Sequence, residues 1–183
     1  MSRLIHLNGP PGIGKSTLAR RYVAEHPGVL NCDIDVLRTL IGGWETDFGE
    51  VGTLIRPAAL AMIAAYLTNG HDVVLPQMLI NPTELARFEG CATGVGAQFV
   101  ERFLMDAPAP SMARFHRRGT AEAENPWHDQ VRAIVAANGG DAELARCHAA
   151  LELLLPQRPR AVMIVSVGGA VDETYYSLVE SLN

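Results

Sequence analysis

Residues 8 to 17 read Asn8-Gly9-Pro10-Pro11-Gly12-Ile13-Gly14-Lys15-Ser16-Thr17, and within them Gly9-x-x-x-x-Gly14-Lys15-Ser16 has the Walker A spacing. These are the residue types that a phosphate chain needs. Glycines let successive backbone N–H groups turn inward around phosphate oxygens, and a helix starting at the lysine adds its dipole. Lys15 would reach the β and γ oxygens, and the Ser16 hydroxyl would ligate Mg²⁺. Gly9, Pro10, Pro11, Gly12, Ile13, Gly14, Lys15, Ser16 and Thr17 are therefore expected to hold ATP; the plain alternative is an ordinary glycine turn. Of the 15 basic residues 14 are arginine, so Lys15 is the chain's only lysine. Part of this reflects an arginine-rich composition, yet the loop position keeps its lysine.

A second group could decide where the phosphate goes. Cys32-Asp33-Ile34-Asp35 is followed one turn later by Arg38. If the chain is still extended there, Asp33 and Asp35 point to the same side. One carboxylate, Asp35, could orient a hydroxyl and accept its proton. The other, Asp33, could hold Mg²⁺ through water. Arg38 could pair with Asp35 or grip the acceptor. The plainer reading is that one aspartate only caps a short helix.

The elements that must position these groups alternate. Strands are expected at Arg3 to Asn8, Val29 to Asp33, Asp72 to Met78, Ala97 to Met105 and Arg160 to Val167. Helices are expected over Lys15 to His26, about Asp35 to Ile41, up to about Asn69, from Asn81-Pro82, over Pro110 to Arg118, on either side of Gly139-Gly140, and over Asp172 to Leu182. Gly42 to Gly52, with four glycines, reads as a mobile loop, and Gly119 to Trp127 as a polar one. The fold class is α/β: a five-stranded parallel sheet with helices on both faces, in one domain over 1–183. In such a sheet ligands bind outside the carboxyl ends of the strands, which puts both aspartates on the rim of the glycine loop.

Gly9 to Thr17 together with Asp33-x-Asp35-x-x-Arg38 resembles the P-loop kinases of small metabolites and polynucleotide ends: shikimate and gluconate kinases, chloramphenicol phosphotransferase, zeta toxins and polynucleotide 5′-kinases. The resemblance implies a P-loop NTPase fold, ATP and Mg²⁺ as cofactors, and an acidic residue after the second strand that activates the acceptor hydroxyl. Asp35 matches that position. It also implies a helical lid, here over about residues 109–155, whose arginines cover ATP. Arg114, Arg117 and Arg118 occupy that place, so that one could stack on adenine while others neutralise transferring phosphate; a solvated basic helix end is the alternative. Two departures stand out. The third strand, Val73-Val74-Leu75, runs into Pro76-Gln77 instead of the aspartate of a Walker B strand, and the glycine triplet of shikimate kinase is absent. Asp106 closes a similar run on the fourth strand and reads as a decoy.

For the acceptor, Arg38, Trp44, Phe48, Arg56 and Gln77 are the candidates; Trp44 and Phe48 could cover a ring or simply anchor a loop. Trp127 and His128 carry the same ambiguity. His6 reads as a satisfied histidine rather than a base. The net charge of −5 argues against nonspecific nucleic-acid binding. The longest apolar run, Ala58 to Leu67, is about half a membrane span. Three separated cysteines without a CxxC pair point to reduced thiols in a cytoplasm. The expectation is an ATP-dependent kinase of a small-molecule hydroxyl, catalysed by Lys15, Asp35, Arg117 and Arg118. A nucleoside-monophosphate kinase, gripping the acceptor's phosphate with Arg38 and Arg56, is the runner-up. A non-catalytic ATP-binding regulatory protein is the rival of another class.

Overall fold

Apolar alternation and glycine punctuation resolve into five strands and eight α-helices among the residues that a computed structural model describes, 1–117 and 126–183. Arg118 and the expected polar loop up to residue 125 lie outside them, as do the side chains of Phe48, Trp127 and His128. The order is β1 (Arg3–Asn8), α1 (Lys15–Glu25), β2 (Leu30–Asn31), α2 (Ile34–Arg38), α3 (Phe48–Thr68), β3 (Val73–Leu75), α4 (Pro82–Gly94), β4 (Gln98–Met105), α5 (Pro108–Arg117), α6 (Pro126–Ala137), α7 (Asp141–Leu154), β5 (Val162–Val165) and α8 (Val171–Leu182). The strands form one parallel sheet in the order β2-β3-β1-β4-β5.

Period-2 geometry sorts the strand side chains into two cores. Leu4, Val73, Leu75, Phe103 and Met105 pack with Ile55, Ala59, Ile63 and Leu67 of α3 and with Leu85 and Phe88 of α4. Ile5, Leu7, Val74, Leu104 and Ile164 face the other way, onto Leu18, Ala19 and Tyr22 of α1 and Tyr175 and Leu178 of α8. Gly49–Thr68 is long and apolar enough to cross a membrane by length and composition alone, with a mean hydropathy of 1.5. Here every fourth residue of that helix, from Ile55 to Leu67, lies in the domain core.

Two expectations are corrected. β2 keeps two residues instead of five, because Asp33 ends the extended run by capping α2: its Oδ1 accepts from the Asp35 N–H at 3.1 Å. The glycine-rich segment 42–52 is a loop only in its first part. Asp47 Oδ1 accepts from the Glu50 N–H at 2.9 Å and starts α3 at Phe48, so Gly49 and Gly52 are helical.

Candidate active site

β1 delivers the chain to the glycine loop through Asn8, which is fully buried. Its Oδ1 accepts from the N–H groups of Gly9 (3.0 Å) and Leu79 (3.1 Å), and its Nδ2 donates to the Leu79 carbonyl at 3.0 Å. One amide thus ties the loop to the segment after β3. The loop then packs where only glycine fits. At Gly9, with φ +148°, a Cβ would lie 2.4 Å from the Leu104 carbonyl oxygen. At Gly12, with φ +82°, it would lie 2.9 Å from Phe115 Cα, so α5 rests directly on the loop. Lys15 Nζ donates to the carbonyls of Gly9 (2.7 Å) and Pro10 (2.9 Å) and closes the turn.

Two cavities open beside this loop and, among the described residues, share Gly12 and Gly14. The larger, ≈ 350 Å³, takes Lys15 and Ser16 from the loop, Asp35 and Arg38 from α2, and Gln77 from the end of β3. The smaller, ≈ 130 Å³, lies between Ile13, Thr17, Arg114 and the turn from Ser166 to Gly169. Arg114 is fixed there: Nη2 donates to Asp106 Oδ2 at 2.7 Å and Nη1 to the Ser166 carbonyl at 2.6 Å. Ser166 Oγ in turn donates to the Ile13 carbonyl at 2.9 Å. Asp106 therefore holds an arginine, and its other oxygen accepts from the Ala107 N–H.

The sequence-read residues divide accordingly. Pro11, Gly12, Gly14, Lys15, Ser16, Asp35, Arg38 and Gln77 line the larger cavity; Ile13, Thr17 and Arg114 line the smaller. Gly9 and Pro10 are buried beneath the loop. Asp33, Trp44, Arg56 and Arg117 line neither. The common face expected for Asp33 and Asp35 does not form, since the chain turns helical at Ile34 and Asp33 is buried as a cap. Trp44 is half-buried in the turn after α2, its N–H donating to the Ile41 carbonyl. Arg56 lies on α3 with Nε 3.7 Å from Glu84 Oε2, and Arg117 is exposed at the end of α5.

Arg38 is 3% exposed, with Nη1 4.0 Å from Asp35 Oδ1. Burial lowers its pKa, Asp35 opposes that, and neighbouring Arg56 adds to it. The close packing is possible because position 52 of α3 is glycine; a Cβ there would lie 3.1 Å from an Arg38 Nη. Gln77 is held from below. His6 Nε2, facing a carbonyl, carries the proton and donates to the Gln77 oxygen at 2.8 Å.

Sequence reading missed the far wall of the larger cavity. Val131, Ile134 and Val135 come from α6, Asn138 from the turn after it, and Glu143 and Cys147 from α7. The only signal was the i, i+3, i+4 spacing of the three apolar residues, which marks a buried face without naming what it meets. Burial and the adjacent Glu143 push the Cys147 thiol up to about 11, so it stays protonated. Among the described residues no cluster of three or more His, Cys, Asp or Glu side chains could hold a metal ion. The residues that fit Mg²⁺ are those of a phosphate-shared site, with Ser16 supplying a hydroxyl at the cavity wall. The inward-turned loop, too tight for side chains at Gly9 and Gly12, fits a phosphate chain.

The fold recurs in solved structures. A gluconokinase from Sinorhizobium meliloti superposes with a TM-score of 0.64 at 19% identity, covering 98% of this chain and 90% of that one. The tunicamycin resistance protein of Deinococcus radiodurans gives 0.57 at 17%, covering 98% and 96%. A chain of the Pnkp1/Rnl/Hen1 RNA repair complex gives 0.66 at 16%, covering 85% of this chain and 46% of that one. No curated protein matches the chain in sequence. The sequence model of the family AAA_33, described as an AAA domain, matches residues 4–137, so the chain belongs to that family.

Proposed function

We propose that the protein is an ATP-dependent kinase that phosphorylates a hydroxyl of a small molecule, with Asp35 as the base. The observation that carries this reading is the pair of cavities that, among the described residues, share Gly12 and Gly14, which suits a donor site and an acceptor site joined across a phosphate loop. Bound ATP supplies the phosphoryl group, and Mg²⁺ at the Ser16 hydroxyl would neutralise charge on it. Arg114, clamped by Asp106 and Ser166, offers the flat face of its guanidinium to the base in the smaller cavity. Lys15 leaves the Gly9 and Pro10 carbonyls to hold phosphate oxygens. Asp35 accepts the acceptor's proton, and Arg38 beside it holds that carboxylate in place. Arg117 and Arg118 are assigned the neutralisation of charge on the transferring group. Asp33 serves the cap of α2, which leaves Ser16 as the metal residue among those assigned from the sequence.

The test is transfer of labelled γ-phosphate from ATP into hydroxyl-bearing compounds, with Asp35→Asn run beside wild type. Loss of about 10²- to 10⁴-fold in kcat with unchanged ATP affinity is expected for removal of a base. Equal transfer by the variant would remove Asp35 from the role. ATP binding without transfer to any acceptor would favour the regulatory reading, to which the missing carboxylate after β3 lends support. For the nucleoside-monophosphate reading, Arg38 lines the larger cavity and Arg56 stands beside Arg38 without lining it.

A further inference from the structure

Mg²⁺ shared with a phosphate chain keeps several of its waters, and those waters need oxygen acceptors from the protein. The carboxylate that ends the third strand in a Walker B pattern is such an acceptor, and here Pro76-Gln77 follows the strand instead. Asp33 is taken up by the cap of α2 and does not line the larger cavity. Asp35 stands 4.0 Å from Arg38 and is the proposed base. On the far wall, Glu143 Oε2 accepts from Arg146 Nε at 3.0 Å, and its Oε1 faces the Cys147 thiol at 3.7 Å. Asn138 is exposed. Among the described residues that line the cavity with Ser16, Gln77 is the one whose side-chain oxygen has no such task.

Three observations fit Gln77 to the metal. Two residues beyond the His6–Leu75 pair of the β1–β3 ladder, it stands level with Asn8, which enters the phosphate loop. Its backbone is held at both polar groups: the N–H donates to the Leu75 carbonyl at 3.1 Å, and the carbonyl accepts from His6 Nε2 at 2.8 Å. Its side-chain Oε1 is buried with no hydrogen-bond partner. An acceptor left in that state costs free energy that an O–H donor recovers. The terminal amide of a glutamine turns about a broad, two-fold torsion. Half-buried at the cavity wall, Gln77 can bring that oxygen round to a donor inside.

Building on the ATP-binding part of the kinase reading, we propose that Gln77 is a metal-positioning residue: its Oε1 accepts a hydrogen bond from a water coordinated to Mg²⁺, in place of the carboxylate absent after β3. Ser16 supplies the direct hydroxyl. The exchange keeps the hydrogen bond and removes a charge. A neutral oxygen holds the cation less firmly than a carboxylate does, so metal and nucleotide bind together and the protein alone retains little metal.

The test is metal binding to the full chain holding a non-hydrolysable ATP analogue, with Mn²⁺ as the probe, read by electron paramagnetic resonance. Gln77→Met keeps the length and removes the acceptor; Gln77→Glu keeps the shape and restores the charge. Gln77→Met is expected to bind Mn²⁺ about three- to tenfold more weakly than wild type, the worth of one hydrogen bond. Gln77→Glu is expected to bind it at least about fivefold more tightly. Calorimetry with the same analogue in EDTA is expected to give all three proteins one affinity. Mn²⁺ held by Gln77→Met as in wild type overturns the proposal. A loss of analogue affinity of the same size with and without metal also overturns it, since Gln77 would then shape the loop. Where Gln77→Met fails to fold, Gln77→Glu decides alone: tighter Mn²⁺ supports the proposal, and unchanged or weaker binding overturns it. Phosphoryl transfer tests the kinase reading separately. The expected Mn²⁺ order without transfer to any acceptor supports the role of Gln77 and removes the kinase, whereas transfer with no Mn²⁺ difference among the three proteins does the reverse.

Discussion

At the scale of single residues, the site depends on side chains that hold other groups in place. Asn8 satisfies three backbone groups, the N–H of Gly9 and both polar groups of Leu79, with no solvent nearby. Asn8→Ala leaves these buried without partners, and loss of about 2–4 kcal/mol is expected in urea unfolding. Because the same amide joins the phosphate loop to the segment carrying Gln77 and Met78, binding on both flanks should weaken together. Arg38 works by position as well: nearly buried over Gly52, it sets where the Asp35 carboxylate stands. Gln77 is placed by His6, which was readable as a strand histidine under the rim, whereas the Gln77 carbonyl that its Nε2 meets was not.

At the scale of elements, α5 and the phosphate loop are one packed unit, since Phe115 occupies the space a side chain at residue 12 would need. Gly12→Ala adds both a strained φ and a backbone clash. ATP affinity should fall at least about tenfold while far-ultraviolet circular dichroism stays near wild type, given a strain cost of about 1–3 kcal/mol. Elements were legible in the sequence where punctuation and period agree, as at Asn81-Pro82, where Asn81 Oδ1 accepts from Thr83 and Glu84 as a cap should. They were misread where one local signal outvoted another. Four glycines argued for a loop through residue 52, but Asp47 with Glu50 three residues on starts a helix inside it. At Cys32 to Asp35 an extended chain and an aspartate cap were both open, and the cap at Asp33 is the one that forms. The phosphate loop was readable because the Walker A spacing is local in sequence. The α6 and α7 wall was not, because its residues meet the loop only through tertiary packing.

At the scale of the whole molecule, a chain of polar side chains crosses the sheet. His6 Nδ1 on β1 lies 3.4 Å from Glu101 Oε1 on β4; Arg158, before β5, donates to Glu101 at 2.7 Å and to Glu89 of α4 at 2.8 Å. Burial alone would raise the Glu101 carboxyl, but the His6 and Arg158 contacts outweigh it and hold the group below its ordinary 4.5. A carboxyl depressed in the folded state binds its proton first when unfolded, so its contribution is complete above pH 4.5 and is lost as pH falls through the folded value. Urea midpoints measured at successive pH values below 4.5 should therefore fall less steeply in Glu101→Gln than in wild type, from a lower plateau at neutral pH. The lone lysine has a wider meaning for the molecule. Its ammonium is folded against the Gly9 and Pro10 carbonyls, and every other long basic side chain is a guanidinium. Acylating chemistry that attacks side-chain amines therefore has one address in this protein, the floor of the nucleotide site, so that the extent of such labelling is a direct reading of occupancy there.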